Sequence, residues 1–421
     1  MLKKNDAIIT AKADFPAYGG FALARGNGSI LLIRNAIPGE TVEARIEEKK
    51  KDFAFADTVR VVAASPDRTE PACPVFEECG GCQLQYIAYP RQVSIKEEIL
   101  LDCMCRIAKK EVLLSGAFVG DSPWNYRRRA QFKLGKGAMG FFREKTREVV
   151  DFDECPLMKK EVNDLFSKAR EVYKTSQGLF DGISDLHISY GSEGLALLKA
   201  TSKISMARWN QIGMLLLDAG FEGVCGVSEK GKTVTFGSEF VSLDLDGLKY
   251  TISPQSFFQS HWDLNRTVVR FLRETLQPLR KKRVIDLYAG GGNFSLPIAF
   301  DGADVYAVEE NPFAIEDGKR NAAANGIRNC RFIECSAERL KVCDTVDILV
   351  VDPPRAGLTN TALDKILFVE PERIAYISCN PSTMARDIKK LLGQYEIESM
   401  RIIDFFPQTY HIESLAVLRL R

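Results

Sequence analysis

The spacing of apolar positions changes period twice along the chain. Up to residue 62 they alternate with polar ones in short runs: Ala7–Ala11, Gly20–Ala24, Ser29–Arg34, Thr41–Ile46 and Phe53–Val62. That is the two-residue period of half-buried strands. Asn27-Gly28 supplies a hairpin signal and Pro38-Gly39 a second turn. Five such strands in so short a stretch predict a small closed, OB-like β-barrel over residues 1–62, of the kind that binds oligonucleotides. Residues 66–90 are rich in loop formers. Then Ile95, Ile99, Cys103 and Ile107 recur at helical spacing, with Leu100 and Met104 beside them. Residues 123–250 mix both periods: NYRRRAQFKL reads as a strand, and LHISY with GLALLKATS as a hairpin. From residue 283 strands and helices alternate. VIDLYAG, DVYAVEE, RFIECS, DILVVDPP, RIAYISCN and SLAVLRL are the strands, and the helical stretches between them predict a doubly wound, mostly parallel sheet.

Three parts follow. A β-barrel occupies residues 1–62. A central α+β domain takes residues 63–90 and 123–250. The doubly wound, Rossmann-like α/β domain takes residues 251–421, and residues 91–122 are assigned to it despite their early position. At 45% apolar and 27% charged, the composition is that of a globular chain. It has no apolar run of roughly 18 residues, so no membrane span is expected. The charged N-terminus does not read as a signal peptide. A cytoplasmic monomer is the expectation.

A net charge of +1 neither supports nor excludes a nucleic-acid partner, because a local patch can act inside a neutral protein. The best patch is Arg127-Arg128-Arg129 with Gln131 and Lys133, interleaved with Trp124, Tyr126 and Phe132. Cations among aromatics suit looped RNA, by phosphate contact and base stacking; the competing reading is a solvated strand face. Lys49-Lys50-Lys51 reads as a solvated run. Arg280-Lys281-Lys282-Arg283 reads as charge compensation at a helix end.

The first strand of the parallel sheet runs into Gly290-Gly291-Gly292. Glycine there lets backbone approach a ligand where a Cβ would clash. Glu309 closes the next strand about 20 residues on, where a carboxylate can accept ribose hydroxyls. Ser295 stands where a dinucleotide fingerprint wants a third glycine, and no phosphate-binding Lys-Ser/Thr follows. The pattern suits S-adenosylmethionine better than a pyrophosphate cofactor.

Asp352-Pro353-Pro354-Arg355 ends the fourth strand of this series, at the edge where open α/β sheets bind ligands. The motif resembles the NPPY of amino-group methyltransferases, but Arg355 replaces the stacking aromatic. Cys379, between Ser378 and Asn380, ends the next strand at the same edge. A buried cysteine is often only a small hydrophobe. This one is placed, with Asp352, to be a nucleophile acting as thiolate. Glu413, just before the last strand, is a candidate general base.

The eleven cysteines form no expected disulfide framework in a cytosolic chain. Cys73, Cys79 and Cys82 lie on one glycine-containing loop, and Cys155 follows at a distance. Four thiolates suit zinc or a 4Fe-4S cluster, and spacing alone leaves the two open.

DLYAGGGNF, DPPRAG, ISCNPSTMARD and HIES, with SPQSFFQ upstream, resemble the RNA uracil-5-methyltransferase family over nearly the whole chain. The nearest resemblance is to its iron–sulfur branch, which makes 5-methyluridine in 23S ribosomal RNA. The resemblance implies that residues 1–62 are an RNA-binding TRAM domain. It implies that Cys379 is the nucleophile and Glu413 the base. It assigns Gln259, Tyr288, Asn293, Glu309 and Asp352 to S-adenosylmethionine. It also tips the four cysteines to a 4Fe-4S cluster. Ser336 stands where the family usually has Asn or Asp near the adenine, so its place in that set is a departure. Two rivals are a transferase acting on base nitrogen, which needs no Cys379, and a non-catalytic zinc- and RNA-binding assembly factor. The same C5 chemistry on tRNA also stays open.

Overall fold

The computed structural model of the chain describes residues 8–26, 29–341 and 345–421. The hairpin signal at Asn27-Gly28, Ala7 and Cys343 fall outside them.

The described residues up to 63 form one sheet of six strands rather than five: Ile8–Lys12, Phe15–Ala17, Phe21–Gly26, Ser29–Arg34, Thr41–Lys49 and Phe53–Ala63. The extra strand, Phe15–Ala17, is too short for a periodic signal and contains a proline. In the sheet order the first and second strands lie at opposite edges, yet only two residues separate them in the chain. The sheet must therefore curl back on itself, and the two linking residues bond toward opposite edges: Ala13 N donates to Glu40 O at 2.9 Å and Asp14 N to Leu23 O at 2.8 Å. Small residues line its core, including Ala22, Ala24, Ala44 and Ala56.

A seven-stranded sheet follows in the middle of the chain. It runs in the order Val149–Asp151, Ala138–Phe142, Arg129–Gly135, Ile183–Tyr190, Gly194–Ala200, Gly223–Val227, Thr233–Gly237. The helices Lys160–Thr175 and Met206–Asp218 cover it. Stacked phenylalanines make the core, with the Phe132 and Phe166 rings 4.1 Å apart.

The C-terminal sheet has eight strands. In spatial order they are Cys330–Glu334, Asp304–Glu309, Arg283–Leu287, Ile348–Val351, Arg373–Ser378, Glu413–Leu420, Tyr395–Ile403 and Ala117–Phe118. The first five are parallel, and Glu413–Leu420 enters antiparallel to its neighbours. The order in which successive strands are added reverses at Arg283–Leu287, which is the switch point where such sheets bind ligands. Helix Tyr89–Cys103 puts Ile95, Ile99, Leu100 and Cys103 into the same core as Tyr376, Met384 and Ile388. The basic tetrad from Arg280 precedes a strand, not the end of a helix. Lys282 pairs with Asp347 at 2.9 Å and with Glu372 at 2.8 Å, so helix-dipole compensation is not its role.

Candidate active site

Strand register brings the reactive groups together. Val351 pairs with Tyr376 in the parallel ladder, and Ser378 with Ser414 in the antiparallel one. One residue further along, Cys379 comes beside Glu413, and Asp352 ends the neighbouring strand at the same edge. Ser378 and Asn380 hold this turn. Asn380 N donates to Ser378 Oγ at 3.1 Å, and Asn380 Oδ1 caps the helix Pro381–Leu391 by accepting Ser382 N at 3.0 Å. Asn380 Nδ2 also reaches the Arg355 carbonyl at 3.1 Å, tying the Asp-Pro-Pro-Arg loop to the cysteine.

The electrostatics of this edge favour protons. Burial, then the Glu413 and Asp352 charges, push the Cys379 thiol up to about 11, against the relief that Arg355 gives. Burial raises Asp352 to about 7. Burial and the charge of Asp352 hold Glu413 well above the ordinary carboxylate range, while Arg355 pulls the other way. Burial and the Arg355 charge lower His411 to about 4, so it meets Arg355 Nη2, 3.4 Å from its Nδ1, as a neutral ring.

A cleft of about 590 Å³ opens beside this edge. Gln259, Tyr288, Asn293 and Asp352 line it together with Gly290 and Gly291. The glycine turn is bent as its composition requires: Gly290 has φ +54° and Gly292 φ +88°. A Cβ on Gly292 would stand 2.9 Å from Leu296 and 3.0 Å from Phe332. Tyr288 itself has φ +64°, an unusual conformation for a bulky residue. Glu309 lies across the turn, where its carboxylate accepts the Gly290, Glu310 and Asn311 amides at 2.8–2.9 Å. Ser336 is not among the residues lining the cleft; its hydroxyl hydrogen-bonds Glu338.

The sequence reading missed the cleft's opposite wall. Tyr250, Phe258 and Trp262 line it, and the buried Tyr250 hydroxyl donates to Gly292 O at 3.1 Å. Asn265 and Asn293 exchange amide hydrogen bonds of 2.7 and 3.0 Å. The aromatic run after Ser256 was a visible signal, but only the fold shows what it faces.

Cys73, Cys79, Cys82 and Cys155 line a second cavity of about 400 Å³. Gly81 N donates to Cys79 Sγ at 3.4 Å, and the Val75 and Leu157 amides and the Gln85 side chain favour the thiolates of Cys73, Cys155 and Cys82. Burial raises all four thiols, Cys82 to about 12 and Cys155 to about 11. Among the described residues, no three His, Cys, Asp or Glu side chains are gathered closely enough to hold a single metal ion.

The arginine run does not form one free RNA-facing strip. Arg127 lines the cysteine cavity and its charge favours the thiolates of Cys79, Cys82 and Cys155. Arg128 pairs weakly with Asp263 at 3.5 Å. Arg129 sits over the Phe257 and Phe258 rings and donates to Ser256 O at 3.1 Å. Only Arg129 belongs to the strand Arg129–Gly135; Arg127 and Arg128 precede it, and the three side chains reach different neighbours. No helix among the described residues is long and apolar enough to cross a membrane.

Comparison with known proteins fits this architecture. An uncharacterized RNA methyltransferase of Aquifex aeolicus is 37% identical over 418 residues, covering 96% of each chain. A 23S rRNA (uracil(1939)-C(5))-methyltransferase of Shewanella amazonensis is 33% identical over 439 residues, covering 99% of this chain and 97% of its own. The solved Pyrococcus abyssi tRNA (uracil-54, C5)-methyltransferase, in complex with S-adenosyl-L-homocysteine, superposes with a TM-score of 0.77 at 25% identity, covering 98% of this chain and 100% of its own. The family model described as tRNA (Uracil-5-)-methyltransferase matches residues 88–345 and 339–421, and with it the chain belongs to the RNA uracil-5-methyltransferase family.

Proposed function

We propose that this protein methylates C5 of a uridine in 23S rRNA, with Cys379 as nucleophile and Glu413 as base. The observation that carries the reading is the strand register that sets a thiol beside a buried carboxylate at the ligand edge of the sheet. The name of the Shewanella relative supports 23S rRNA as substrate. The Pyrococcus relative supports tRNA as the second reading.

The residues suit the chemistry. C5 of uracil is too weak a nucleophile to be methylated directly. The Cys379 thiolate adds to C6, and the electron pair of the C5–C6 double bond becomes an enolate with carbanion character at C5. Bound S-adenosylmethionine supplies the methyl group that C5 takes. Glu413 then removes the C5 proton, the S–C6 bond breaks and the double bond re-forms. A carboxylate whose proton is held tightly is a stronger base once it is free. Cys379 must lose its proton before attack, and Arg355 favours that loss. A base in folded RNA must be looped or flipped out to meet a thiol on one face.

The first cleft fits the cofactor: glycine backbone and aromatic walls surround a few polar groups, with the Asp352 carboxylate available to a positive sulfonium. Gln259, Tyr288, Asn293 and Asp352 would hold it, with Glu309 behind the glycine turn; Ser336 has the weakest claim. The second cavity fits a 4Fe-4S cluster held by Cys73, Cys79, Cys82 and Cys155. Arg127 in its wall is an environment for charged sulfur, and the resemblance to the family's iron–sulfur branch favours the cluster over zinc. The curled N-terminal sheet is the RNA-binding TRAM domain of this reading.

Tritium release from unmodified 23S rRNA labelled at uridine C5, with S-adenosylmethionine supplied, tests the function. Release is expected. Its absence from 23S rRNA together with release from tRNA would move the substrate to the second reading, and absence from both would reject C5 chemistry. Protein purified without oxygen is expected to carry about four iron and four acid-labile sulfide per chain; zinc without sulfide would overturn the cluster.

A further inference from the structure

The curled N-terminal sheet reaches the catalytic edge through one side chain. Its tight turn at Gly19 and Gly20 has φ +98° and +80°. Added Cβ atoms there would stand 3.1 Å from the Phe21 ring and 3.0 Å from Gln83 Cβ, so the turn is pressed in place. Tyr18 projects from it. Its ring meets Tyr410 edge-on at 5.6 Å, and Tyr410 packs on His411 at 4.4 Å, which in turn contacts Arg355. Cys379, Glu413 and Arg355 all lie within electrostatic reach of the Tyr18 hydroxyl. Tyr18 nevertheless remains 38% exposed. The proposed reaction needs no further acid or base from it, and burial first, then the neighbouring Tyr410, raises its phenol above the ordinary value, so it stays neutral.

A half-exposed aromatic beside a nucleophile for a nucleobase has an evident use. When one base is withdrawn from its stack, its neighbour loses a stacking partner, and an aromatic ring restores that contact without reading sequence. We propose that Tyr18 stacks on an RNA base adjacent to the reacting uridine, so that the N-terminal sheet forms one wall of the substrate pocket and does more than tether the RNA. This rests on the RNA uridine reading above.

The test compares Tyr18→Ala, Tyr18→Leu and Tyr18→Phe in the full-length holoenzyme, with unmodified 23S rRNA transcript as substrate. Loss of the ring face is expected to raise KM for RNA about 5- to 100-fold in the Ala and Leu variants, with kcat changed less. Phe should stay within about twofold of wild type. S-adenosylmethionine affinity and melting temperature should be unchanged, and Leu keeps the apolar packing on Tyr410 should Ala disturb it. A KM for Leu equal to wild type would overturn the proposal, as would a Phe variant as impaired as Ala, which would assign the effect to the hydroxyl. If wild type transfers no methyl, the function reading fails instead. Affinity for a uridine-rich single-stranded oligonucleotide then decides the role of Tyr18: weaker binding by Leu than by Phe supports it, and equal binding overturns it.

Discussion

Cys379 and the four-cysteine cavity present the same residue type in the same kind of buried setting, and burial raises every one of these thiols. Their neighbours differ. Cys379 stands alone among carboxylates, with one exposed arginine for relief and an open cleft beside it. The other four line one cavity, with amide groups that favour their thiolates and a guanidinium in the wall. A solitary thiol kept protonated until its substrate arrives is protected from wasteful reaction and remains a nucleophile in reserve. Four thiols around one cavity would repel one another as thiolates, and the proposed cluster would relieve that repulsion. The residue type does not choose the chemistry; number and neighbours do.

The largest expected effect separates the two directly. Cys379→Ala should lower methyl transfer at least ~10⁴-fold, as removal of a covalent nucleophile does, while calorimetry shows S-adenosylmethionine affinity unchanged. Cys82→Ser should instead strip iron and sulfide and lower the melting temperature by at least about 5 °C, because a cluster that joins distant segments contributes its binding energy to the fold. Activity persisting in Cys379→Ala would break the comparison at its first term.

Glu413→Gln should reduce turnover by about 10²- to 10⁴-fold. It leaves addition and methylation possible but removes the acceptor for the C5 proton. A covalent RNA–protein adduct should therefore accumulate on denaturing gels, and it should vanish when Cys379 is also replaced. Slow turnover with no adduct would place the role of Glu413 before addition.

The smallest effect is a pH dependence. Because the Cys379 thiol is raised to about 11, the thiolate is the minor form throughout the neutral range. Each unit of pH below that value cuts the thiolate about tenfold. Alkylation of Cys379 by iodoacetamide in the substrate-free protein, followed by mass spectrometry, should thus speed up about tenfold per pH unit from 7 to 10. Cluster-bound thiols should show no such rise in the same spectra. A flat profile at Cys379 would mean that its proton is already lost at neutral pH.

The parts legible in the sequence are those that local period and composition control. The alternating run of the C-terminal half gave its parallel strands, and the strand ends gave Asp352 and Cys379, because a sheet's ligand edge follows from strand direction alone. The strand Tyr395–Ile403 escaped, since YEIESMRII mixes charges into a strand that is paired on both sides. Gln259 was assigned through its motif, but Tyr250, Trp262 and Asn265 were not, because their roles depend on where the hairpin Val241–Leu245 with Leu248–Ile252 and the helix Trp262–Thr275 pack. The arginine run was misjudged as a unit, since its backbone twists each cation toward a different partner.

The sequence by itself determined the alternation of strand and helix, the glycine turn beside Glu309, and the placing of two reactive residues at one sheet edge. All of these depend on neighbours within a few residues or on the direction of one strand. Only the tertiary structure decided that Glu413 stands beside Cys379, that Cys155 joins three cysteines more than seventy residues away, and that Tyr18 reaches the same edge of the sheet. Those are contacts between distant segments, and their free energy is gained only when the sheets pack, so no local pattern needs to record them.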